Sequence, residues 1–485
     1  MIRRDSRPSG RGLRRAALGL AFLTASCGAN VNLAPPIGGG APPEGQPGHV
    51  TGFLGAVVAD EPQAALVGRQ ALSAGGTAAD AAVAVAATLA VTLPSRAGLG
   101  GGGACLAYAP KPGSINKGVP EAIIFVPLAP AEPPPPGTAD RPAALPMMLR
   151  GLYLLHDRYG HLPFELMLAP AENLARGGAV VSRAFADDLH LVAGPLLADP
   201  QARAEFAPGG RLLQAGDRFV QPALAGTLGQ LRQVGVGDFY QGGLARRIVE
   251  ASRLAGGPLT LNQLWNALPS RAQAIDLDGG GSIDVAFLPP PADGGLAAAA
   301  AFLALKANPA DVQQAAARAD QVAMAWRTSG GNPTALLSAQ APAGTLPPLG
   351  ATTTFVTMDH EGDAVACALT MDNLFGTGRI APALGFLLAA SPRSVPPPLL
   401  AAAIAYDRAR HAFIAAVGGS GQNAAALATA ETMQRALARR SQLPPPPTEP
   451  GRANLILCAG GVPGAPKSCA WSTDPRGAGM AVGGG

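Results

Sequence analysis

The chain has 485 residues, of which 48% are hydrophobic and 14% charged, with a net charge of +4. That length suits one large domain or two, and so small a charge on it does not suggest a nucleic-acid binder. The 63 glycines and 48 prolines make the chain loop-rich, but its long Ala/Leu/Val runs leave apolar surface to bury, which excludes a disordered chain.

Arg3, Arg4, Arg11, Arg14 and Arg15 precede an apolar run, Ala16 to Ala25, that leads into Ser26-Cys27. A basic start, a short apolar run and small residues at a cleavage point describe a secretory signal, and the run is too short to cross a bilayer. Thr24-Ala-Ser-Cys27 resembles a bacterial lipobox, so residues 1–27 read as signal peptide and lipobox, with Cys27 as the lipidated residue. Ordinary cleavage beside an incidental cysteine is the alternative. The expected location is periplasmic or lipid-anchored to the bacterial cell envelope, with the lipid as the only membrane attachment. Residues 28–47, rich in Pro and Gly, read as a flexible tether.

Four further cysteines, Cys105, Cys367, Cys458 and Cys469, are free to pair in an oxidising compartment. Cys458 and Cys469 bracket a Gly/Pro loop and are the favoured disulfide. No Cys-x-x-Cys and no cluster of the scattered histidines suggests a metal, and no cofactor is expected.

Val50 to Ala59 reads as a strand and Glu61 to Ala74 as a helix, stopped by Gly75-Gly76. Ala78 opens a second helix to about Leu93, whose small side chains suit close packing on a sheet. Ser95-Arg-Ala-Gly-Leu-Gly-Gly-Gly-Gly-Ala104 follows. It lacks the Gly-Lys-Ser/Thr ending of a phosphate loop, and a strand rather than a helix comes next, so phosphate binding is set aside. Helices are expected over 144–159, 164–176, 296–305, 316–327 and 423–439, with Ser329 to Gly350 as a linker. A strand over 413–417 delivers Gly418-Gly-Ser-Gly421 at a helix start, where backbone N–H groups suit an oxyanion.

Ala351-Thr-Thr-Thr-Phe-Val-Thr-Met-Asp359 reads as a strand, His360-Glu-Gly-Asp363 as a turn and Ala364 to Met371 as the return, so the unit is a hairpin. The bland reading makes these threonines β-formers. A mid-chain threonine becomes a good nucleophile when the bond before it is cut, because the freed α-amine takes the hydroxyl proton. That amine titrates near 7.7–8.0, close to ideal for a base at neutral pH.

Thr352-Thr-Thr-Phe-Val-Thr-Met-Asp359, Gly362 and Leu369-Thr-Met-Asp-Asn-Leu-Phe-Gly-Thr-Gly378 resemble the small-subunit start of the γ-glutamyltransferases. Other segments from about residue 48 onward resemble the family in the same order, among them Tyr159-Gly-His-Leu-Pro163 and the final run from Asp474. The resemblance implies an α/β, N-terminal-nucleophile hydrolase fold: a four-layer αββα sandwich with a large-subunit-like region 48–351 and a small-subunit-like region 352–485. It implies Thr352 as nucleophile, Thr370 as its assistant, and Gly418 and Gly419 as oxyanion donors. The implied partners are a small γ-glutamyl amide such as glutathione and a water or amine acceptor.

The residues that grip the glutamyl group in that family are not kept here. The arginine position falls near Val126, a serine pair near Pro398 and Leu399, and the segment expected to hold an aspartate reads Leu387-Leu-Ala-Ala-Ser-Pro-Arg393. Asp372, where the family has asparagine, and Arg393 are left as the candidate substrate-binding residues. The expectation is a self-cleaved enzyme with a degenerate glutamate site that prefers less charged acyl groups. The alternative is a pseudoenzyme that keeps the fold as an envelope structural or binding protein.

Overall fold

In a computed structural model the described residues are 42–484, apart from 112–113, 133–136, 138–139, 340–343 and 441. Cys27, the expected signal segment 1–27 and residues 28–41 of the expected tether lie outside them. Two antiparallel sheets face each other. The first runs Met480–Gly483, Gly55–Ala59, Thr352–Asp359, Ala364–Thr370, Gly102–Tyr108, Glu121–Phe125 and Ser270–Gln273 from edge to edge. The second runs Cys469–Ser472, Arg452–Val462, Ala412–Ser420, Ala401–Asp407, Ile283–Phe287 and Ile275–Gly280.

Three apolar layers hold the stack together. Val58, Leu106, Val356 and Ile404 lie between the sheets. Val57, Cys105, Phe355 and Val365, from the opposite faces of the same strands, pack against Ala78–Thr92 and other helices. On the outer side of the second sheet, Val285, Ala403 and Val417 meet the helices Gly294–Ala307, Val312–Ser329 and Ala425–Ala438. The order is therefore αββα. The period-2 alternation of a strand lets each sheet feed two layers at once.

The helix Ala78–Thr92 is buried along its whole length and starts at a capping box between Thr77 and Asp80. Its alanines permit the close approach to the sheet that the pattern suggested. The hairpin forms as read, Thr352–Asp359 pairing with Ala364–Thr370.

Boundaries differ where glycine and proline act. The helix expected from 144 begins at Met148, because Pro146 disfavours helical geometry at Leu145. The strand after the glycine run begins at Gly102. A Cβ on Gly102 would lie 2.2 Å from the Phe125 carbonyl oxygen, so glycine is what lets the neighbouring strand come close. The expected linker 329–350 contains a short helix, Pro333–Ser338, capped by Asn332. Among the described residues no helix is long and apolar enough to cross a membrane.

Candidate active site

The strand Thr352–Asp359 carries four threonines, and their hydroxyls have different surroundings. Thr353 Oγ1 donates to Asp60 Oδ2 at 3.0 Å, and Thr357 Oγ1 donates to the Ala78 carbonyl at 2.7 Å. Thr354 Oγ1 accepts from Asn454 Nδ2 at 3.1 Å. Thr352 Oγ1 has no hydrogen-bond partner among the described residues, although the residue is only 2% exposed. A buried hydroxyl is nearly always paired, so the exception asks for a reason. A nucleophile held ready is one.

Alternation along the strand turns Thr352 and Thr354 toward the second sheet, with Val356 and Met358. Thr370 stands directly across the ladder from Thr352. Its Oγ1 donates to the Ala351 carbonyl at 3.1 Å and accepts the Asp372 N–H at 2.8 Å. The peptide carbonyl before Thr352 is thus polarised by one hydroxyl while the neighbouring hydroxyl stays unengaged. Gly350 packs behind this bond, where a Cβ would lie 2.1 Å from the Asp372 carbonyl oxygen.

A cleft of about 390 Å³ opens at Thr352, and Arg96, Asp188, Arg452, Asn373, Gly421 and Gln422 are among its walls. Arg96 grips Asp188 through Nε and Nη2 at 2.7 and 2.6 Å. Ser95 Oγ donates to the same carboxylate at 2.6 Å. This bidentate pairing fixes the guanidinium plane. Arg452 opens its strand and is exposed.

Thr352 and Thr370 are brought together as expected from the sequence. Three placements differ from the simple expectation. Gly418 and Gly419 lie inside the strand Ala412–Ser420, paired with Ala402 and Ala401 on one side and with Asn454 and Ala453 on the other. The helix begins only at Ala425, and the turn at the cleft is Ser420 to Gln422. Arg393 donates to the Ala131 carbonyl at 3.0 Å and borders a separate hollow of about 100 Å³ with Pro130 and Pro142. Asp372 is only 2% exposed and does not wall the cleft. Burial raises its carboxyl pKa to about 8, so at neutral pH it is mostly protonated.

Cys458 and Cys469 form a disulfide, and so do Cys105 and Cys367 on neighbouring strands, a pairing the sequence left open. The residues missed are Arg96, Asp188 and Arg452. Only Arg96 carried a local signal, as a lone charge in an otherwise uncharged glycine-rich stretch.

An αββα stack with a threonine at the head of a central buried strand defines the N-terminal-nucleophile hydrolase class. A cephalosporin acylase from Bacillus halodurans shares this fold, with a TM-score of 0.71 over 89% of this chain and 96% of its own, at 20% identity. The gamma-glutamyltranspeptidase family model matches residues 64–328. The glutathione hydrolase proenzyme of Escherichia coli K12 is 31% identical over 433 residues, 78% of this chain and 73% of that protein. The glutathione hydrolase proenzyme of Pseudomonas aeruginosa is 29% identical over 388 residues, 69% and 67% of the two chains. The chain belongs to the γ-glutamyltranspeptidase family.

Proposed function

We propose that this protein is a γ-glutamyltransferase or glutathione-hydrolase-type enzyme that matures by cutting itself between Ala351 and Thr352. The observation that carries the reading is the pairing pattern at that bond. The Thr352 hydroxyl is buried and has no partner among the described residues, and the Ala351 carbonyl beside it is held by Thr370.

Attack of Thr352 Oγ on the Ala351 carbonyl carbon forms a C–O bond and breaks the C–N bond. The hydroxyl proton ends on the Thr352 nitrogen, which becomes the free α-amine. Water then hydrolyses the ester, leaving an Ala351 carboxylate and a free Thr352 hydroxyl. In the mature enzyme the α-amine is the base, Thr352 takes up the acyl group, and water or an amine releases it. The turn after Ser420 offers backbone amides at the cleft for the oxyanion. Both bacterial relatives are named proenzymes, which agrees with maturation by cleavage.

The acyl donor is an amide of an anionic acid, γ-glutamyl amides above all. Arg452, exposed at the cleft wall, supplies positive charge that Val126, Pro398 and Leu399 do not, whereas the charge of Arg96 is matched by Asp188. A pseudoenzyme is the second reading. It is favoured by Arg393 and Asp372 lying outside the cleft. Intact mass of the purified protein, N-terminal sequencing of its fragments and release of aniline from a γ-glutamyl anilide separate the two. One uncut chain without turnover leaves the pseudoenzyme.

Export with a lipid on Cys27 belongs to the same proposal. Two disulfides suit an oxidising compartment. Replacing Cys27 by Ser should move the protein from the membrane to the soluble fraction; continued membrane attachment refutes the anchor.

A further inference from the structure

The segment that leads into Thr352 is held by a side chain far away in sequence. Asn423 Oδ1 accepts the Leu349 N–H at 3.1 Å, and its Nδ2 donates to the Pro347 carbonyl at 3.0 Å. A longer contact of 3.5 Å reaches the Leu346 carbonyl. One amide therefore reads both polarities of the backbone, as a neighbouring strand would. Asn423 sits in the tight turn Gln422–Ala424 that follows Gly421. Leu346 and Leu349 are buried in the core under the second sheet, so the segment is anchored by apolar contacts as well.

Downstream the same stretch has no slack. Gly350 fits against the Asp372 backbone only because it lacks a Cβ, and Thr370 holds the Ala351 carbonyl. The peptide bond before Thr352 is thus gripped on its upstream side by Asn423 and on its own carbonyl by Thr370. Leu349, Gly350 and Ala351 also wall the cleft, so the uncut chain occupies part of its own site.

We infer that Asn423 is the positioning residue for self-cleavage: it fixes residues 346–349 so that the Ala351 carbonyl lies within reach of Thr352 Oγ. The inference rests on the proposed self-cleavage. Asn423 touches neither reacting atom. It acts through the register of the chain it holds, and an error of about 1 Å in such register can slow a reaction on the order of 10²-fold. Once the bond is cut, the clamp has nothing further to align, and Gly350 and Ala351 are no longer tied to Thr352 at the cleft wall.

The test follows cleavage of the purified uncut precursor over time by intact mass, for wild type, Asn423→Ala and Asn423→Asp. The alanine variant should cut on the order of 10²-fold more slowly, at the same bond, and still fold, with a modestly lower unfolding temperature because the Leu349 N–H and the Pro347 carbonyl lose their partner. The aspartate variant separates positioning from mere packing. Its carboxylate still accepts the Leu349 N–H but repels the Pro347 carbonyl. Protonated, it regains a donor for that carbonyl. Its rate relative to wild type at each pH should therefore recover as pH falls from about 7 to about 4, across the ordinary aspartate range. Wild-type rates in both variants at neutral pH, or a slow aspartate variant with no recovery on acidification, overturn the inference while leaving self-cleavage standing. A wild-type protein that never cuts overturns self-cleavage itself and the clamp with it.

Discussion

Thr370 donates a hydrogen bond of 3.1 Å from its Oγ1 to the carbonyl oxygen of Ala351, across the ladder from Thr352. In the proposed self-cleavage that contact gives the second threonine a task, because negative charge would develop on this same oxygen as Thr352 attacks.

Thr352→Ala should leave one full-length chain, since the attacking oxygen is gone. Thr352 Oγ1 has no partner among the described residues, so its loss strands no donor or acceptor there and the unfolding temperature should change little. Thr370→Ala should also fold, but it removes an oxyanion donor and should slow cleavage by about 10²–10³-fold. Thr370→Ser keeps the hydroxyl and should cut at a rate near wild type. Intact mass against time reads all three. Fast cleavage in Thr370→Ala would assign the oxyanion to another donor.

Much of this site was legible beforehand because it is local. The hairpin 352–370 follows from β-branched alternation around a turn, and the αββα order was implied by the resemblance that its motifs carry. What stayed hidden is long-range. Arg96 and Asp188 lie 92 residues apart, and Asn423 and Leu349 lie 74 apart. No periodicity couples such positions. Gly418 and Gly419 also serve packing, a use of glycine separate from the oxyanion role expected of them. A Cβ at Gly418 would lie 2.8 Å from Thr354 Cβ, and one at Gly419 would lie 2.1 Å from Thr429 Oγ1. Both are glycine so that the strand can pack closely, which their spacing before a helix does not reveal.

The two cleft arginines should respond differently to mutation. Arg452 is exposed at the start of its strand, so Arg452→Gln should fold normally. It should raise KM for γ-glutamyl anilide by about tenfold to a hundredfold, the worth of one charge-assisted hydrogen bond at about 1.5–3 kcal/mol. A neutral acyl anilide should not feel the change. Arg96→Ala leaves Asp188 buried without its partner, which should cost about 3–5 kcal/mol of stability. Urea unfolding and paired kinetics check both. An unchanged KM ratio in Arg452→Gln removes that residue from the substrate site.

Asp372 should make stability depend on pH. Burial raises its pKa to about 8, against about 3.9 for an unfolded aspartate. Between these values the folded chain binds the proton and the unfolded chain does not. Its contribution to stability is therefore largest below about pH 4 and falls as pH rises toward about 8. Asp372→Asn removes the titration. It should raise the unfolding temperature more at pH 8 than at pH 5, and a shift of the opposite sign would show that the carboxylate is paired. The neutral carboxyl also offers one donor and one acceptor, as an amide does, so aspartate here does not impose a charge at neutral pH.

The disulfide between Cys105 and Cys367 joins residues 262 apart. Cys105 lies upstream of the Ala351–Thr352 bond and Cys367 downstream of it, so the bridge spans the proposed cut. Its cysteines face each other on the strands Gly102–Tyr108 and Ala364–Thr370, in the middle of the first sheet. Both are fully buried, so a reductant should reach them only when the sheet opens. The fragments made by cleavage should therefore remain one covalent molecule. The matured protein should run as a single band without reductant and as two bands after unfolding with reductant. Cys458 and Cys469 both lie downstream of the cut and cannot hold the pieces together. Cys367→Ala should accordingly give two bands under both conditions. Removing the bridge should also lower stability by about 2–5 kcal/mol, read by urea unfolding. Two bands from the wild-type protein without reductant would show that Cys105 and Cys367 are not joined. One band with reductant would show that the chain is not cut, so the paired gels test the disulfide and the cleavage separately.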